Sequence, residues 1–278
     1  MNISLQIDIL LSTYNGENFL REQIDSILAQ TCTSWKLFIR DDASKDSTQL
    51  IIQEYVERYP GKIVWINKNE VQNVGVIKSF GLLLAQSKAP YFMFCDQDDV
   101  WLPHKIEQTL FAMQQAEKEM DGMSVPLLVH TDLQVVDKEL NQQHASFFEM
   151  LHFEPEKTHS NIHFALIYNC VTGCTVMGNT KARMACLPIC DWAEMHDSWV
   201  TRQVLLHGGK VITLRQATML YRQHGNNVLG SNNSLSLYRR ILHIFTVYKQ
   251  YKRLLPNKKC FSLIRFLYWR NQYKNMLR

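Results

Sequence analysis

Three carboxylates follow directly on an apolar run in the first half of the chain. Residues 91–95 read Tyr-Phe-Met-Phe-Cys, and Asp96, Asp98 and Asp99 come within the next four positions. Side chains two positions apart on an extended chain share a face, so Asp96 and Asp98 can point the same way. Two close carboxylates raise each other's pKa, and a hard divalent cation removes that conflict by accepting their oxygens. The alternative, on this loop alone, is an acidic cap on a helix beginning near Pro103.

Strand-like and helix-like segments alternate over the first 120 residues. Apolar runs predict strands at 7–11, 35–39, 63–66 and 91–95, and helical spacing of apolar residues predicts helices at 17–30, 46–59, 76–86 and 104–118. This alternation predicts a parallel sheet with helices on both faces and a ligand site at the carboxyl ends of the strands. Polar clusters fall at those four ends, at 12–16, 41–44, 67–75 and 96–99. No Walker motif or Gly-x-Gly-x-x-Gly appears, which weakens P-loop and dinucleotide interpretations.

The charge is divided unevenly along the 278 residues. All 26 Asp and Glu lie at or before Asp197, whereas residues 231–278 contain eleven Lys or Arg and no acid. We therefore expect an acidic catalytic domain at 1–230 and a basic amphipathic helical tail at 231–278. Such a tail is typical of a peripheral membrane element, although it can equally pack on the catalytic body, or do both. Charge alone would also allow a nucleic-acid contact, but no recognition module is present, and we expect none.

Targeting and redox signals point to the cytoplasm. The first residues lack the basic start and cleavage site of a secretory signal, and no apolar run approaches the length of a membrane span. The seven cysteines are an odd number in a large chain without that signal, so we interpret them as reduced thiols. Cys170 with Cys174 and Cys186 with Cys190 have loose zinc-ligand spacing, but Pro188 interrupts the second pair, which favours small core residues.

Seven segments in a fixed order carry a resemblance to a known family. They are residues 11–16, 40–46, 73–75, 96–103, 172–175, 196–199 and 221–227. With them the chain resembles family 2 glycosyltransferases of the GT-A fold, and in particular bacterial rhamnosyltransferases of cell-wall and capsular polysaccharide synthesis. The last two segments are the ones that favour rhamnose. The resemblance implies a Rossmann-like mixed α/β sheet flanked by helices, with the basic helical extension at the C-terminus.

The resemblance also implies how the donor is held. Ser12 and Tyr14 would line the nucleotide pocket, with the Tyr14 ring near the base, and Asp42 would accept the N3–H of uracil or thymine. Asp96 would lie near the ribose and the diphosphate. Lys78 would be a further contact to the diphosphate.

The remaining implied roles concern the metal and the proton. Asp98 would bind Mg²⁺ or Mn²⁺, His224 would contact the metal or the diphosphate, and Arg222 would contact the donor beside it. Asp197 matches the catalytic base. A cation stabilises the charge that grows on the leaving diphosphate, and a single carboxylate that takes the proton of the acceptor hydroxyl gives inversion without a covalent intermediate.

The resemblance implies dTDP-L-rhamnose as donor and a glycan or polyprenyl-linked acceptor at the inner face of the bacterial plasma membrane. UDP-glucose, UDP-galactose or a UDP-N-acetylhexosamine are the alternatives within the same mechanism. A sugar-phosphate nucleotidyltransferase would need a glycine-rich loop near the N-terminus, which residues 12–16 do not supply. A non-catalytic carbohydrate- or lipid-binding scaffold is opposed by the presence of four carboxylates at matching positions, Asp42, Asp96, Asp98 and Asp197.

Overall fold

A computed structural model describes residues 7–70, 72–120, 124–224, 237–255 and 263–277. Nine strands and eleven α-helices are assigned within these ranges. The predicted domain boundary at 230/231 and positions 225–227 of the last matching segment lie outside the described residues.

The first half of the chain contains five strands and four helices in the predicted alternation. In order they are β1 (Ile7–Thr13), α1 (Leu20–Leu28), β2 (Trp35–Asp41), α2 (Thr48–Arg58), β3 (Ile63–Trp65), α3 (Val76–Gln86), β4 (Tyr91–Cys95), β5 (Val100–Trp101) and α4 (Lys105–Glu119). Each of the four predicted strands is present. The two-residue strand β5 follows the acidic loop and was not expected from the sequence, because so short a segment has no readable period.

The second half contains four strands, seven helices and one 3-10 turn. In order they are β6 (Leu127–Val136), β7 (Gln142–His144), α5 (Phe147–Met150), α6 (Pro155–His159), α7 (Ile162–Ile167), the turn Gly173–Thr175, β8 (Met177–Asn179), α8 (Thr180–Cys186), α9 (His196–Leu206), β9 (Lys210–Arg222), α10 (Leu237–Leu254) and α11 (Leu263–Met276). Of α10, side chains are described from residue 244 onward.

All the strands belong to one mixed sheet with the order β3-β2-β1-β4-β8-β6-β9-β5, and β7 pairs with β6. The strands β3, β2, β1 and β4 are parallel, whereas β8 runs antiparallel to both β4 and β6. The parallel sheet predicted for the first 120 residues is therefore present in these four strands, whereas β5 pairs antiparallel with β9. The expected mixed α/β sheet flanked by helices is confirmed.

Helices cover both faces of the sheet, as the side chains of β4 show. Tyr91, Met93 and Cys95 lie in one buried cluster, and Phe92 and Phe94 lie in the other. Alternate residues of a strand point to opposite faces, so a continuous apolar run is what a strand buried on both sides requires.

The strand β6 continues through Asp132, a polar residue in the middle of its apolar run. The Asp132 carboxylate accepts the backbone N–H groups of Leu133, Phe147 and Phe148 and the hydroxyl of Ser146. This polar residue therefore lies within one continuous strand and holds the start of α5, rather than separating two strands. The strand β9 similarly continues through positions 215 and 216, where the pairing with β6 shifts register.

The described parts of the basic tail pack on the body. Val247 and Tyr251 of α10 and Phe266 of α11 form a buried cluster with Leu166 and Ile167 of α7. Of the two arrangements left open by the sequence, packing on the rest of the fold is thus present, and membrane contact stays a prediction. None of the helices in the described ranges has the length and hydropathy needed to cross a bilayer.

Candidate active site

A cavity of about 590 Å³ opens beside the carboxyl ends of the parallel strands. Thr13 at the end of β1 pairs with Asp41 of β2, and Leu11 pairs with Cys95 at the end of β4. The loops that follow these strands therefore begin at one edge of the sheet. The chain adds β2 and β3 on one side of β1 and then crosses to add β4 on the other side, and ligands bind at such switch points in α/β sheets.

Seven of the nine residues predicted from the sequence line this cavity. They are Ser12, Tyr14, Asp42, Asp96, Asp98, Asp197 and His224. The other two, Lys78 and Arg222, are not part of its lining. For all nine residues the structure gives the position in the fold, whereas the ligand and the role of each remain predictions.

Asp42 is buried at one end of the cavity and is held by the backbone after β3. Its Oδ1 accepts from Arg40 at 2.6 Å and from the N–H of Val74 at 2.8 Å, and its Oδ2 accepts from the N–H of Gly75 at 2.9 Å. A carboxylate can accept about four hydrogen bonds, so one remains for a donor in the cavity. Gly75 has φ +80° immediately before α3, a conformation that glycine adopts without strain.

A hydroxyl pair connects this end of the cavity to α3. The Ser12 and Ser79 hydroxyls lie 2.7 Å apart, and Arg40 donates to Ser79 at 3.2 Å. Ser79 is fully buried, whereas Lys78 beside it is exposed. Because neighbouring helical residues point about 100° apart, Ser79 faces the site and Lys78 does not. The predicted diphosphate contact of Lys78 is therefore not supported by its position.

Gln97 holds the loop that presents the Tyr14 ring, which is 45% exposed. Gln97 Oε1 accepts from the N–H of Tyr14 at 2.8 Å and from the Thr13 hydroxyl at 2.5 Å, and Gln97 Nε2 donates to the Tyr14 carbonyl at 3.1 Å. A Cβ on Gly16 would lie 2.4 Å from Gln97 Oε1, so the loop packs against Gln97 without room for a side chain. Gln97 lies in the acidic motif, but the sequence does not predict that it holds the Tyr14 loop, because the motif is interpreted from its carboxylates and Gln97 is a neutral amide.

Asp98 and His224 meet in the cavity although they are 126 residues apart. The Asp98 Oδ2 and His224 Nε2 atoms are 2.8 Å apart. The His224 ring stacks on Phe19 with the ring centres 4.7 Å apart, which fixes its orientation. The structure thus brings together the two residues predicted as metal ligands.

Arg222 lies behind this pair instead of facing the cavity. Its Nε donates to the Asp98 carbonyl at 2.9 Å, its Nη1 donates to the Lys138 carbonyl at 2.6 Å, and its Nη2 pairs with Glu22. The side chain is 3% exposed. The prediction that Arg222 contacts the donor is therefore not supported by this geometry, and the guanidinium supports the backbone of the acidic loop.

The two remaining carboxylates of the loop differ in their surroundings. Burial, followed by the negative charges of Asp98 and Asp197, raises the pKa of Asp96 to about 7. Asp99 is fully buried, and its Oδ1 accepts from the backbone N–H of Arg222 at 3.3 Å. Asp99 is thus a hydrogen-bond partner inside the fold and does not line the cavity.

The donor atoms at Asp98 and His224 fit a divalent cation of the Mg²⁺ or Mn²⁺ class. A carboxylate oxygen and an imidazole nitrogen already lie within hydrogen-bond distance, and Asp96 adds a further oxygen nearby. Another group in the described chain, Asp96, Asp99 and Cys174, has its ligand atoms within 4.8 Å of one another. That group includes a buried thiol, which hard cations disfavour, and the first pair fits the expected metal better.

Asp197 lies in a different environment from Asp98. Its carboxylate is buried, and it accepts hydrogen bonds from N–H groups instead of pairing with a histidine. It lies in the first turn of α9 and accepts from the N–H of Gly173 at 3.2 Å, from Asn169 Nδ2 at 3.3 Å and from the N–H of Ser198. Burial raises its pKa to about 7, and the two N–H groups partly oppose that rise. At neutral pH this carboxylate is therefore poised to take up or release a proton.

His196 supports the wall next to Asp197, a role that its place in the matching segment did not indicate. Its ring stacks on Phe80 with centres 3.9 Å apart and meets the edge of Phe94 at 5.0 Å. Burial lowers the pKa of His196 to about 3, so the ring is neutral. A Cβ on Gly173 would lie 2.3 Å from His196 Nε2, and the glycine is thus required for this contact.

Comparison with known proteins adds a family to this geometry. The sequence model of "Glycosyl transferase family 2" matches residues 8–171, which is more than half of the chain. The dTDP-rhamnosyl transferase RfbG of Shigella flexneri is 28% identical over 244 residues, covering 83% of this chain and 78% of that protein. Uncharacterized glycosyltransferases from two Rickettsia species are also 28% identical, but the chain spans about half of their length, 49% in each case.

Solved structures with the same fold cover most of the chain. S. aureus TarS 1-349 in complex with UDP-GlcNAc has a TM-score of 0.62 and 14% identity, over 94% of this chain and 69% of that one. The mannosyltransferase PcManGT from Pyrobaculum calidifontis, in complex with GDP-Man and Mn²⁺, has a TM-score of 0.59 and 14% identity, over 89% and 64%. At this identity the likeness concerns the fold alone, and it confirms the expected GT-A architecture.

Proposed function

This chain belongs to glycosyl transferase family 2, and we propose that it transfers a sugar from a nucleotide-diphosphate donor to an acceptor hydroxyl with inversion at the anomeric carbon. The observation that carries the proposal is a single cavity lined by the strand-end loops and by the buried carboxylate of Asp197. Such a cavity combines a polar site for a nucleotide with a base whose pKa is near neutrality. Neither feature by itself would require a transferase.

In the proposed reaction the donor lies along the strand ends. Asp42 accepts the N3–H of the pyrimidine with its remaining lone pair, and the exposed Tyr14 ring packs on the base. Ser12 lies beside Asp42, and Asp96 faces the ribose and diphosphate. The tight backbone contacts of Asp42 and of the Tyr14 loop support these assignments, because a rigid site loses little entropy when it binds.

Asp98 and His224 are the proposed metal ligands. A bound Mg²⁺ or Mn²⁺ would stabilise negative charge on the leaving diphosphate. The support is the close pairing of their donor atoms, together with a structural neighbour that binds Mn²⁺ with its nucleotide sugar. Removal of the metal with EDTA should abolish donor binding, and Mn²⁺ added alone should restore it.

Asp197 is the proposed base. Its carboxylate takes the proton of the acceptor hydroxyl while that oxygen bonds to the anomeric carbon. The bond from the anomeric carbon to the diphosphate oxygen breaks, and its electron pair remains on the nucleoside diphosphate. One displacement of this kind inverts the configuration and leaves no sugar on the enzyme.

The proposed donor is dTDP-L-rhamnose, supported by the similarity to RfbG. A UDP-linked hexose or N-acetylhexosamine is the second candidate, favoured by the likeness to TarS bound to UDP-GlcNAc. A thermal-shift panel of dTDP-rhamnose, UDP-glucose, UDP-galactose, UDP-GlcNAc and GDP-mannose with Mn²⁺ separates them, since stabilisation grows with the logarithm of ligand concentration over Kd.

A second experiment tests whether the donor that binds is also turned over. Release of the nucleoside diphosphate in the presence of a glycan or polyprenyl-linked acceptor should occur with the donor that gives the largest shift. If none of these donors changes the melting temperature, the proposed function is wrong. Binding without release, with every acceptor class, would instead favour a carbohydrate- or lipid-binding scaffold.

We also propose that residues 231–278 hold the enzyme at the inner face of the bacterial plasma membrane, next to a lipid-linked acceptor. The outer side of α11 exposes Ile264, Leu267 and Tyr268 at helical spacing, with exposed fractions of 78%, 44% and 53%. Arg265 and Lys274 on the same helix are exposed as well, and the chain has no acid after Asp197. Apolar side chains flanked by bases fit an anionic lipid surface.

Deleting the whole tail would uncover the buried cluster formed with α7, so a surface variant is the better test. Serine at 264, 267 and 268 should lower co-sedimentation with phosphatidylglycerol vesicles by about tenfold or more. The matched control places serine at Leu50, Phe111 and Met184, which are apolar residues of the body with exposed fractions of 74%, 62% and 65%. Equal co-sedimentation of the two triple variants would contradict the membrane proposal.

A further inference from the structure

The inner face of α10 contacts the part of the chain that carries Asp197. Val247, Gln250 and Tyr251 are buried there, and the Tyr251 hydroxyl lies 2.7 Å from His163 Nδ1 at the start of α7. The tail therefore adds polar as well as apolar contacts to the second half of the fold. These contacts are specific in geometry, unlike a helix held by charge alone.

Arg202 is the residue that joins these segments. It lies on α9, five residues after Asp197, and its side chain is 4% exposed. Its Nη1 donates to Gln250 Oε1 of α10 at 2.8 Å, its Nη2 donates to Glu194 Oε2 at 3.4 Å, and its Nε faces the Ala165 carbonyl of α7 at 3.5 Å. A buried guanidinium is costly unless its hydrogen bonds are made, so this geometry is strongly specified.

A second contact from α10 reaches the same region. The Arg253 guanidinium lies 5.3 Å from the centre of the Trp192 ring, and Trp192 meets Trp199 of α9 edge to face at 5.3 Å. Trp192 and Glu194 both belong to the short segment between α8 and α9. The segment before Asp197 is thus connected to α10 in two ways: Glu194 through Arg202 and Gln250, and Trp192 directly through Arg253.

The two charged side chains Arg202 and Glu194 also affect the ionisation of Asp197. The positive charge of Arg202 lowers the pKa of Asp197, and the negative charge of Glu194 raises it. Asp96 faces Asp197 from the acidic loop, since the charge of Asp197 raises the pKa of Asp96. His196, the neighbour of Asp197, is neutral. Arg202 is therefore the cation through which the tail can affect the ionisation of the proposed base.

We propose that Arg202 is a positioning residue, through which the tail helix α10 fixes the segment that carries Asp197. The tail is then part of the catalytic machinery in addition to its proposed membrane role. This inference rests on the proposed function, because it assumes that Asp197 is the base. Donor binding does not depend on it, since the donor loops make no contact with Gln250 or Arg202 in the hydrogen bonds of the described chain.

The test measures kcat, donor Kd by calorimetry and the pH dependence of kcat for Arg202→Met, Arg202→Lys and Gln250→Leu. Arg202→Met should lower kcat by about 100-fold with donor Kd within about twofold, because a small displacement of a catalytic group has that effect. Its kcat should also reach the plateau at higher pH than in the wild type. Arg202→Lys keeps the charge without the planar fork, so its pH profile should stay normal while kcat remains reduced.

Gln250→Leu removes only the partner on α10 and keeps Arg202 with Glu194. It should lower kcat by about fivefold to tenfold, which tests the link to the tail even if Arg202→Met fails to fold. The matched control is Arg183→Met. Arg183 is a half-buried arginine on α8 that donates to Ser87 and to the Ala89 carbonyl. It should lower the melting temperature without changing kcat or the pH profile.

Two results would overturn the role of Arg202. One is wild-type kcat in Gln250→Leu together with an unchanged pH profile in Arg202→Met. The other is an equal loss of donor affinity and kcat in the Arg202 variants, which would indicate general disruption. Absence of turnover by the wild-type chain with every donor is a different outcome, because it overturns the proposed function itself and this inference with it.

Discussion

The two sides of the cavity are assembled differently. The donor side consists of residues 12–16, 41–44, 73–75 and 96–98, and the base side consists of residues 169–175 and 194–202. On the donor side each loop follows a parallel strand, and the register of the sheet aligns the loops. On the base side Asp197 lies in the first turn of α9 and is held by Asn169, Gly173 and Ser198. Arg202 connects the same helix to the tail. Chain order predicts the first arrangement, whereas only packing produces the second.

This difference suggests that the two sides of the cavity have separate functions, donor binding and proton transfer. The donor side has closely fixed backbone and an acidic pair suited to a metal, so changes there should act on donor affinity. The base side has a buried carboxylate with a raised pKa, so changes there should act on kcat. A substitution that affects both quantities equally would contradict the division.

The largest effect is expected at Asp197. Asp197→Asn removes the proton acceptor and keeps the shape of the side chain, and kcat should fall by about 10³-fold or more. Donor Kd should stay within about twofold, because Asp197 is on the base side. Calorimetry with the donor and Mn²⁺, alongside nucleoside diphosphate release, measures the two quantities. Turnover near the wild-type rate would show that another group is the base.

The corresponding change on the donor side is Asp98→Asn. It removes one negative charge from the proposed metal site, and the concentration of Mn²⁺ required for donor binding should rise by about 10- to 100-fold. At saturating Mn²⁺ the pH dependence of kcat should be that of the wild type. A metal requirement identical to the wild type would exclude Asp98 as a ligand.

Two glycine substitutions apply the same chemical change to each side. Gly16→Ala would bring a Cβ within 2.4 Å of Gln97 Oε1 and displace the Tyr14 loop, so the KM for the donor should rise by about tenfold. Gly173→Ala would bring a Cβ within 2.3 Å of His196, which is wedged against Phe80, so kcat should fall by about tenfold or more.

Gly81→Ala is the control for both glycine variants. Its Cβ would meet Ile189 Cβ at 3.5 Å, an ordinary contact, within the helix α3. Kinetics should not change, and unfolding free energy should rise by about 0.4–1 kcal/mol because alanine reduces the freedom of the unfolded chain. If Gly16→Ala and Gly173→Ala changed the same kinetic parameter, the two sides would not be functionally distinct.

The last prediction concerns the pH dependence of the reaction. Burial raises the pKa of Asp197 to about 7, and the base acts only when it is ionised. The ionised fraction therefore grows from about one tenth at pH 6 to about nine tenths at pH 8, and kcat/KM for the acceptor should rise about tenfold over that range. Burial and nearby charges also raise the pKa of Asp96 to about 7, so donor Kd measured at the same pH values separates the two groups. A rate that is flat from pH 6 to 8 would contradict the role of Asp197.

Local sequence patterns were enough to predict the parallel strands β1 to β4 and most of the donor side. Each apolar run of the predicted sheet became a strand, and Ser12, Tyr14, Asp42, Asp96 and Asp98 lie at one edge, as chain order requires. The physical reason is that strand period, helix period and the polarity of strand ends are local properties, readable within a few residues. The family resemblance extended this reading to Asp197 and His224, which also line the cavity.

Packing, in contrast, determines which polar side chains face the cavity and which make their hydrogen bonds inside the fold. Lys78 and Arg222 have suitable chemistry, yet helical phase turns the first outward and three hydrogen-bond partners fix the second behind the acidic loop. Gln97, His196 and Arg202 act through contacts that span large sequence distances, such as 48 residues between Arg202 and Gln250. Only packing creates such contacts, because burial and hydrogen-bond satisfaction depend on neighbours that the local sequence does not specify.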